Sequence, residues 1–452
     1  MKGPRIFLSL LLLGITATSF GQKKPSTTNE GYVRLKTPVN VNVVKPPSGA
    51  IRLVLPKGAT TTRGLVLMDS NSGSGGFFRA GASKPEGEDN HGPNITGLDT
   101  APTFTGAFAS PFNAIDPFLN GVFPFVMIGN QPLLGGTTEL NANITAVSLQ
   151  LLNPDNSVFA NVPFKPFEDL TEDSPVFRDA NYSVGRTQFG DAIQRAEFFN
   201  MMEESWHTRL NPRYVNRVAL QIPFSVQLVF PDNTVKTVRT YFTQPAADGS
   251  TVVFLLDLVF NLLDTNQVIN DINGGNFTTK AVNYHLYPNT FLFSIVDEQL
   301  DTVCCTLGFH TYFLDPTATP QPRWIYAFAS WMSPGTFPPG VQDVTALSHE
   351  TSELLNDPFG NNIVPTWQFP GVPANDNVDC QANLETGDPI EVLPNETVPI
   401  VTREQHEVFT YHPQTEALLQ WFENGATSNA IGGAFSYPNT TVLTHSAIPC
   451  PL

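Results

Sequence analysis

The chain has 452 residues, a formal net charge of −17 and only 14% charged residues. Its 41% hydrophobic content, with 34 Phe, excludes an intrinsically disordered chain, and its 39 Pro and 33 Gly favour turns and short strands over a helical bundle. The excess of acidic residues argues against nucleic acid or an anionic membrane as a partner.

The first residues predict the compartment. A basic start, MKGPR, precedes the apolar run IFLSLLLLGI, and Ser19 and Gly21 place small residues before a cleavage site. We expect residues 1–21 to be a secretory signal peptide, and the protein to be secreted to a periplasmic or extracellular location. No later run reaches the roughly 18 apolar residues that a membrane helix needs, so no transmembrane anchor is expected after cleavage.

Short strands and turns are predicted along the following part of the chain. Residues 22–101 are expected to form an extended, flexible N-terminal region, because Gly, Ser, Asn and Asp dominate its second half. Residues 102–285 are expected to form a β-rich α+β region, in which period-two patterns flank Asn- and Pro-containing turns. The predicted hairpins cover residues 143–164 and 218–242, and the predicted helices cover residues 187–210 and 251–272.

Two apolar runs and one helix are predicted next. Residues 290–298 and 323–331 have the continuous apolar character of buried central strands. A Pro/Gly loop then leads into a helix over residues 341–356, which Asp357-Pro358 ends. The remaining tail is expected to be mostly irregular, with one short amphipathic helix at residues 415–425.

Four cysteines are present: Cys304, Cys305, Cys380 and Cys450. No C-x-x-C pair occurs, which argues against a thiolate zinc cluster. Export permits disulfides, and we expect a bridge from Cys450 to either Cys380 or the vicinal pair.

The helix at 341–356 carries His349-Glu350-x-x-Glu353, one residue away from the His-Glu-x-x-His of zinc peptidases. His349 and Glu353 are one turn apart on the same face, so both can ligate one ion. Glu350 lies about 100° around the helix, where it can act as the general base. Carboxylate ligands make Zn²⁺ the first expectation and leave other divalent cations open. The alternative is an acidic surface helix that also carries a histidine.

Acidic residues further along the chain extend this candidate site. Glu385 lies far enough past Glu353 for the chain to return and supply a third ligand. Asp388 could then orient His349 from a second shell of contacts.

Several short segments in this order resemble the secreted family of plant phosphate-induced, EXORDIUM-like proteins and their bacterial relatives. The matching segments are GFHTYF at 308–313, WIYAFASW at 324–331, SHETSELLNDP at 348–358, Trp367, and the LETGDP stretch at 384–389. The resemblance covers roughly residues 290–392. It departs from the family pattern where Phe309 replaces a Tyr and where Cys380 precedes Glu385.

The resemblance implies a zincin-like metal site. His349, Glu350 and Glu353 carry over first, Glu385 and Asp388 next, and His310 after them. Asp388 and His310 would either contact the ligands and hold them in place or be alternative ligands.

We therefore expect an α+β fold, in which a β-rich N-terminal half precedes a zincin-like mixed α/β domain at 286–452. The leading functional hypothesis is an exported metal-dependent hydrolase, a zincin-like peptidase, in which Glu350 activates water on an ion held by His349 and Glu353. Its substrate is unknown, with a peptide or an envelope component as candidates. The alternative is a non-catalytic secreted cell-envelope or interaction protein with a vestigial or structural metal site.

Overall fold

The computed structural model describes the greater part of the chain. The described residues are 42–44, 51–54, 79–80, 98–110, 121–230, 232–295, 302–370, 380–391, 393–404, 407–424 and 429–448. The predicted signal peptide, residues 1–21, and most of the predicted extended region lie outside them.

The described elements are predominantly strands. The strands are β1 Asn42–Val44, β2 Arg52–Val54, β3 Arg79–Ala80, β4 Leu98–Asp99, β5 Thr103–Ala109, β6 Val122–Ile128, β7 Thr137–Leu152, β8 Val158–Val162, β9 Ala180–Tyr182, β10 Gly185–Thr187, β11 His207–Ile222, β12 Ser225–Val229, β13 Val235–Arg239, β14 Tyr241–Pro245, β15 Thr251–Leu256, β16 Ala281–Pro288, β17 Thr290–Ile295, β18 Thr302–Thr306, β19 Gly308–Leu314, β20 Gln321–Trp331, β21 Ile363–Gln368, β22 Cys380–Asn383, β23 Ile400–Glu404, β24 Glu407–Tyr411, β25 Glu416–Ala417 and β26 Ser436–Tyr437. The α-helices are α1 Glu168–Glu172, α2 Phe189–Glu197, α3 Asp257–Asn273, α4 Thr345–Asn356 and α5 Leu419–Glu423. The fold is a mixed α+β fold, as predicted.

A nine-stranded sheet forms the centre of the described structure. Its main strand order is β1-β11-β7-β16-β20-β19-β3, with β8 paired to β7 and β4 paired to β20. β11, β7, β16 and β20 run parallel to one another, and β19 runs antiparallel to β20. The sheet takes strands from both sides of residue 285, because β16 itself spans that position.

Helices cover both faces of this sheet. Successive side chains on a strand point to opposite faces, and β19 shows which helix lies on each. His310 faces α4, where its Nδ1 lies 3.5 Å from Glu353 Oε2. Phe309 faces α3, where its ring lies 5.7 Å from that of Phe260. The predicted motif helix is therefore packed against the sheet through its own functional face.

Both predicted hairpins are present. β7 and β8 pair across the turn at residues 153–157, where Asn153 N donates to Ser157 O at 2.8 Å. β12 and β13 pair across the second turn. The two apolar runs form β17 and β20, and each has a hydrogen-bonded neighbour on both sides.

The helix predicted over residues 187–210 is wrong in its second half. α2 ends at Glu197, and His207 begins the 16-residue strand β11. Trp206 falls inside the predicted helical range, but its Nε1 donates to Asn130 O at 2.8 Å and its ring packs against Phe104 and Phe198. These tertiary contacts outweigh the local helical spacing.

The helix predicted over residues 251–272 begins later than expected. Residues Thr251–Leu256 form β15, which pairs with β14 and β17, and the helix starts at Asp257. The β-branched residues at 251–253 account for this because they favour a strand over a helix.

Two further helices have boundaries that differ from the predicted ones. α4 begins at Thr345, since Asp343 has a φ of 46° and cannot continue a helix. The helix predicted over 415–425 is confined to Leu419–Glu423, and Glu416 and Ala417 form a strand instead. The tail also contains the hairpins β21–β22 and β23–β24.

The disulfide in the described structure joins Cys304 to Cys305. The expected bridge from Cys450 to this vicinal pair is therefore wrong, because both sulfurs are already used. Cys450 lies outside the described residues. Within the described part of the chain, none of the helices has the length and apolar character needed to cross a membrane.

Candidate metal centre

Helix α4 is buried along its whole length. All 12 of its residues are buried, including His349 at 4%, Glu350 at 3% and Glu353 at 0% exposure. An acidic surface helix is therefore excluded. Burying two carboxylates and an imidazole is costly unless a counter-charge or a ligated ion compensates them.

The described structure brings four of the predicted side chains close together: His310, His349, Glu353 and Asp388. Glu353 Oε2 lies 3.3 Å from His349 Nε2 and 3.5 Å from His310 Nδ1. His349 Nε2 also lies 3.6 Å from Asp388 Oδ1. These separations exceed the usual hydrogen-bond range. Two ligand atoms each about 2.1 Å from a tetrahedral ion are about 3.4 Å apart, so each of these pairs of donor atoms has the spacing of two ligands of one cation.

Glu353 uses its two carboxylate oxygens differently. Oε1 accepts hydrogen bonds from the backbone N–H groups of Gly387 at 3.0 Å and Asp388 at 3.3 Å. These bonds fix the plane of the carboxylate and leave Oε2 directed at the two histidines. The chain segment after β22 thus returns to the helix and fixes the orientation of the Glu353 carboxylate.

A glutamine orients His349. Gln414 Nε2 donates to Gly387 O at 2.6 Å, which directs its Oε1 toward His349 Nδ1 at 3.1 Å. Because an amide oxygen only accepts hydrogen bonds, Nδ1 carries a proton, and Nε2 is the nitrogen that faces Glu353 and Asp388. Metal-binding histidines commonly have such a partner on the second nitrogen.

His310 is oriented in the same way by the backbone. Its Nε2 lies 2.9 Å from the carbonyl oxygen of Asp357, just beyond the end of α4. A carbonyl oxygen accepts, so Nε2 donates and Nδ1 presents its lone pair toward Glu353 Oε2. Both imidazoles therefore face the same carboxylate oxygen with the nitrogen that is not hydrogen-bonded to a neighbouring carbonyl or amide oxygen.

Two glycines permit this close packing. A Cβ at Gly308 would overlap the carboxylate of Glu350, and a Cβ at Gly387 would overlap the imidazole of His349. Gly387 has φ −82° and ψ −35°, which any residue can adopt. Its requirement for glycine is therefore one of space beside His349 and not of backbone conformation.

Ionisable groups around the centre are strongly perturbed. Burial lowers the pKa of His349, but the charges of Glu353 and Glu350 outweigh it and hold that pKa well above its usual value. Burial raises the pKa of Asp357 to about 8. Burial also raises the pKa of Glu416 well above its usual range, and the charges of Glu353 and Asp388 add to this effect. The centre thus holds more buried carboxyl groups than its two imidazoles can neutralise.

The predicted residues fall into two groups with different positions. Donor atoms of His310, Glu350 and Glu353 lie within 4.8 Å of one another, as do those of His349, Asp388 and Glu391, and the 3.3 Å approach of His349 to Glu353 joins the groups. Glu385 is buried at 4% exposure but belongs to neither group. Asp388, expected to orient His349 or to be an alternative ligand, faces His349 Nε2, and Gln414 contacts the other ring nitrogen.

Three residues of the centre were not predicted from the sequence. Gln414 approaches His349 from the turn before β25. Glu416 approaches it from β25 itself, and Glu391 from the segment after Asp388. Gln414 is 65 positions from His349, and no local pattern connects them. Only the folded backbone brings these segments together.

Comparison of the chain with protein-family models, curated proteins and solved structures gives no match.

Proposed function

We propose that the protein is an exported metal-dependent hydrolase whose centre is built on α4. The observation that carries this proposal is the close approach of Glu353 Oε2 to His349 Nε2 at 3.3 Å and to His310 Nδ1 at 3.5 Å, with Asp388 Oδ1 3.6 Å from His349 Nε2. A mixed set of imidazole nitrogens and carboxylate oxygens is typical of catalytic zinc, and its carboxylate content also suits other divalent cations.

The residues present fit such an ion. His349 and Glu353 would hold it, with His310 and Asp388 as the nearest further donors. Glu385 remains the third ligand proposed from the sequence. A bound divalent cation polarises a carbonyl and makes water more acidic. Gln414 and the carbonyl of Asp357 hold the imidazoles in the tautomers that ligation requires.

Glu350 is the proposed general base. It precedes the ligand Glu353 by one turn, and its carboxylate lies within 4.8 Å of donor atoms of Glu353 and His310. From this position a carboxylate oxygen of Glu350 can accept a proton from the attacking water and return it to the leaving amine of a peptide. The nearby Gly308 leaves room for this side chain.

The proposal also includes a zincin-like arrangement of residues 286–452, with a resemblance to EXORDIUM-like proteins. The order of a buried strand, a Pro/Gly loop and the motif helix supports this arrangement. We further propose that the protein is secreted after removal of residues 1–21. A peptide or an envelope component is the proposed substrate.

A structural ion is the second candidate function. Structural metal sites are closed, whereas catalytic sites keep an open position. The near-complete burial of His349, Glu350 and Glu353 favours a closed site. In that case the protein would be a non-catalytic envelope or interaction protein that the ion stabilises.

Replacement of Glu350 by Gln separates these functions. We expect the zinc-loaded Glu350→Gln variant to retain its metal and to lose about 10²–10⁴-fold in rate, because the base is removed and the shape is kept. The substrates are fluorescein-labelled casein and a quenched fluorogenic peptide library of mixed sequence. Glu423→Gln is the matched control, since Glu423 lies on α5 outside the centre.

The outcomes distinguish the alternatives. A wild-type rate in Glu350→Gln would show that another group is the base. Full metal occupancy of the wild type without hydrolysis of either substrate would support the structural ion instead.

A further inference from the structure

Arg323 is a buried cation without a counter-ion in the described structure. It lies on β20, its exposure is 7%, and its Nε and Nη1 make no hydrogen bond to any described residue. Buried arginines are normally paired, because an uncompensated guanidinium in the interior costs several kcal/mol.

Aromatic contacts compensate this charge only in part. The guanidinium carbon lies 4.9 Å from the ring centres of both Tyr312 and Phe359. The two rings are 5.6 Å apart and inclined at 81°, so they form a corner on one side of the guanidinium. Such contacts stabilise a cation less than burial of its charge destabilises it. Consistent with this, burial lowers the pKa of Arg323.

The rings also leave the donor edges of the guanidinium unused. An arginine fork binds a planar oxyanion in its own plane through two parallel hydrogen bonds. One guanidinium carries one positive charge, which a carboxylate matches and a phosphate dianion exceeds. The apolar walls of Tyr312 and Phe359 would strengthen this pair by excluding water.

We propose that Arg323, in the corner formed by Tyr312 and Phe359, is a binding site for a carboxylate group. The carboxylate comes either from a small free acid or from an acidic side chain of a peptide. This site is separate from the metal centre. Arg323 lies four residues along β20 from Ala327, the register partner of His310, which is about 13 Å at 3.3 Å per residue.

Thermal unfolding of the zinc-loaded protein tests this site. Acetate and N-acetyl-glutamate amide are titrated against chloride at constant ionic strength. We expect the Tm of the wild type to rise saturably with at least one of them, and the rise to be absent in Arg323→Met. A response to both indicates a general carboxylate site, and a response to N-acetyl-glutamate amide alone indicates an acidic peptide side chain.

Two variants serve as controls for this titration. Arg239→Met removes a guanidinium that also lies over aromatic rings but is exposed, and it should respond as the wild type does. His349→Ala should also keep the response, because the metal centre is remote. Arg323→Lys keeps the charge without the fork and should lose most of the response.

Chloride alone provides a second readout. In chloride alone, Arg323→Met should unfold at the same temperature as the wild type or at a higher one, because the variant removes a buried charge that has no partner in the described structure. Absence of any carboxylate-specific rise in the wild type would overturn the proposal. Loss of the rise in His349→Ala would assign it to the metal centre, and a larger rise with sulfate would overturn the choice of carboxylate.

Discussion

At the scale of single residues, Glu353 is the hub of the candidate centre. One of its oxygens is fixed by two backbone N–H groups of the segment at 387–388, and the other faces His310 and His349. A carboxylate held in this way loses little conformational entropy when an ion binds, which favours affinity. The segment at 385–388 is therefore as important to the centre as the helix itself.

Gly387 gives the sharpest prediction at this scale. In Gly387→Ala the new Cβ displaces the imidazole of His349, so we expect zinc affinity to fall by about 10–100-fold. The measurement is a competition titration with a zinc chelator dye. Gly274→Ala is the control, since Gly274 has a similar φ of −78° but follows α3. Unchanged zinc affinity in Gly387→Ala would show that His349 is not a ligand.

The sequence predicted the helical part of this centre because its spacing is local. His349 and Glu353 are four residues apart, and the helical period alone places them on one face. The position of Asp388 and the role of Gln414 depend on loop paths, which have no periodicity. Burial of α4 was also not predictable, because its polar sequence resembles that of a surface helix.

At the scale of elements, β16 and α3 are joined by a buried charged network on the sheet face opposite α4. His285 Nδ1 lies 2.6 Å from Asp264 Oδ1, and its Nε2 lies 3.2 Å from Asp271 Oδ2. Burial alone would lower the pKa of His285. The charges and hydrogen bonds of Asp264 and Asp271 outweigh burial and raise this pKa to about 9. The imidazole is therefore charged at neutral pH and acts as the cation of this network.

This network predicts a pH dependence of stability. The pKa of His285 in the folded protein, about 9, lies above the value of about 6.5 expected in the unfolded chain. Its contribution of about 3 kcal/mol is complete below about pH 6.5 and is lost as the pH rises through 9. Urea denaturation of the wild type and of His285→Gln across this range measures it. If the unfolding free energies of the wild type and His285→Gln changed with pH at equal slopes, His285 would not be the titrating cation of this network.

Element boundaries could be predicted only where local signals agreed with tertiary pairing. The hairpin turn after β7 was predicted correctly, because the turn-forming sequence Asn-Pro-Asp-Asn lies between two runs with the alternating pattern of strands. β15 was mistaken for the first turn of α3 because a short apolar run suits either structure. In the fold, backbone pairing of β15 with β14 and β17 decides the outcome.

At the scale of the whole molecule, the charge balance of the interior connects metal binding to stability. Glu350, Glu353, Glu385, Asp388 and Glu416 are all at most 4% exposed. Unless a cation compensates them, such groups repel one another or take up protons. A cation bound at the proposed centre is thus expected to stabilise the fold as well as to serve any reaction.

Removal of the ion should therefore lower global stability. Binding to the folded state alone contributes about 4 kcal/mol when the free ion is at 1,000 times its Kd. We expect EDTA treatment to lower the Tm, zinc addition to restore it, and His349→Ala to respond to neither. Differential scanning calorimetry of the three samples measures this. An EDTA-treated wild type with an unchanged Tm would show that the interior does not need a cation.

The most direct test of the central claim is the metal content of the wild type and His349→Ala, purified without chelators and measured by mass spectrometry. A single site predicts about one equivalent of divalent metal per chain in the wild type and almost none in the variant. Equal metal content in the two proteins, or a wild type without metal after incubation with zinc, would contradict a centre built on His349 and Glu353.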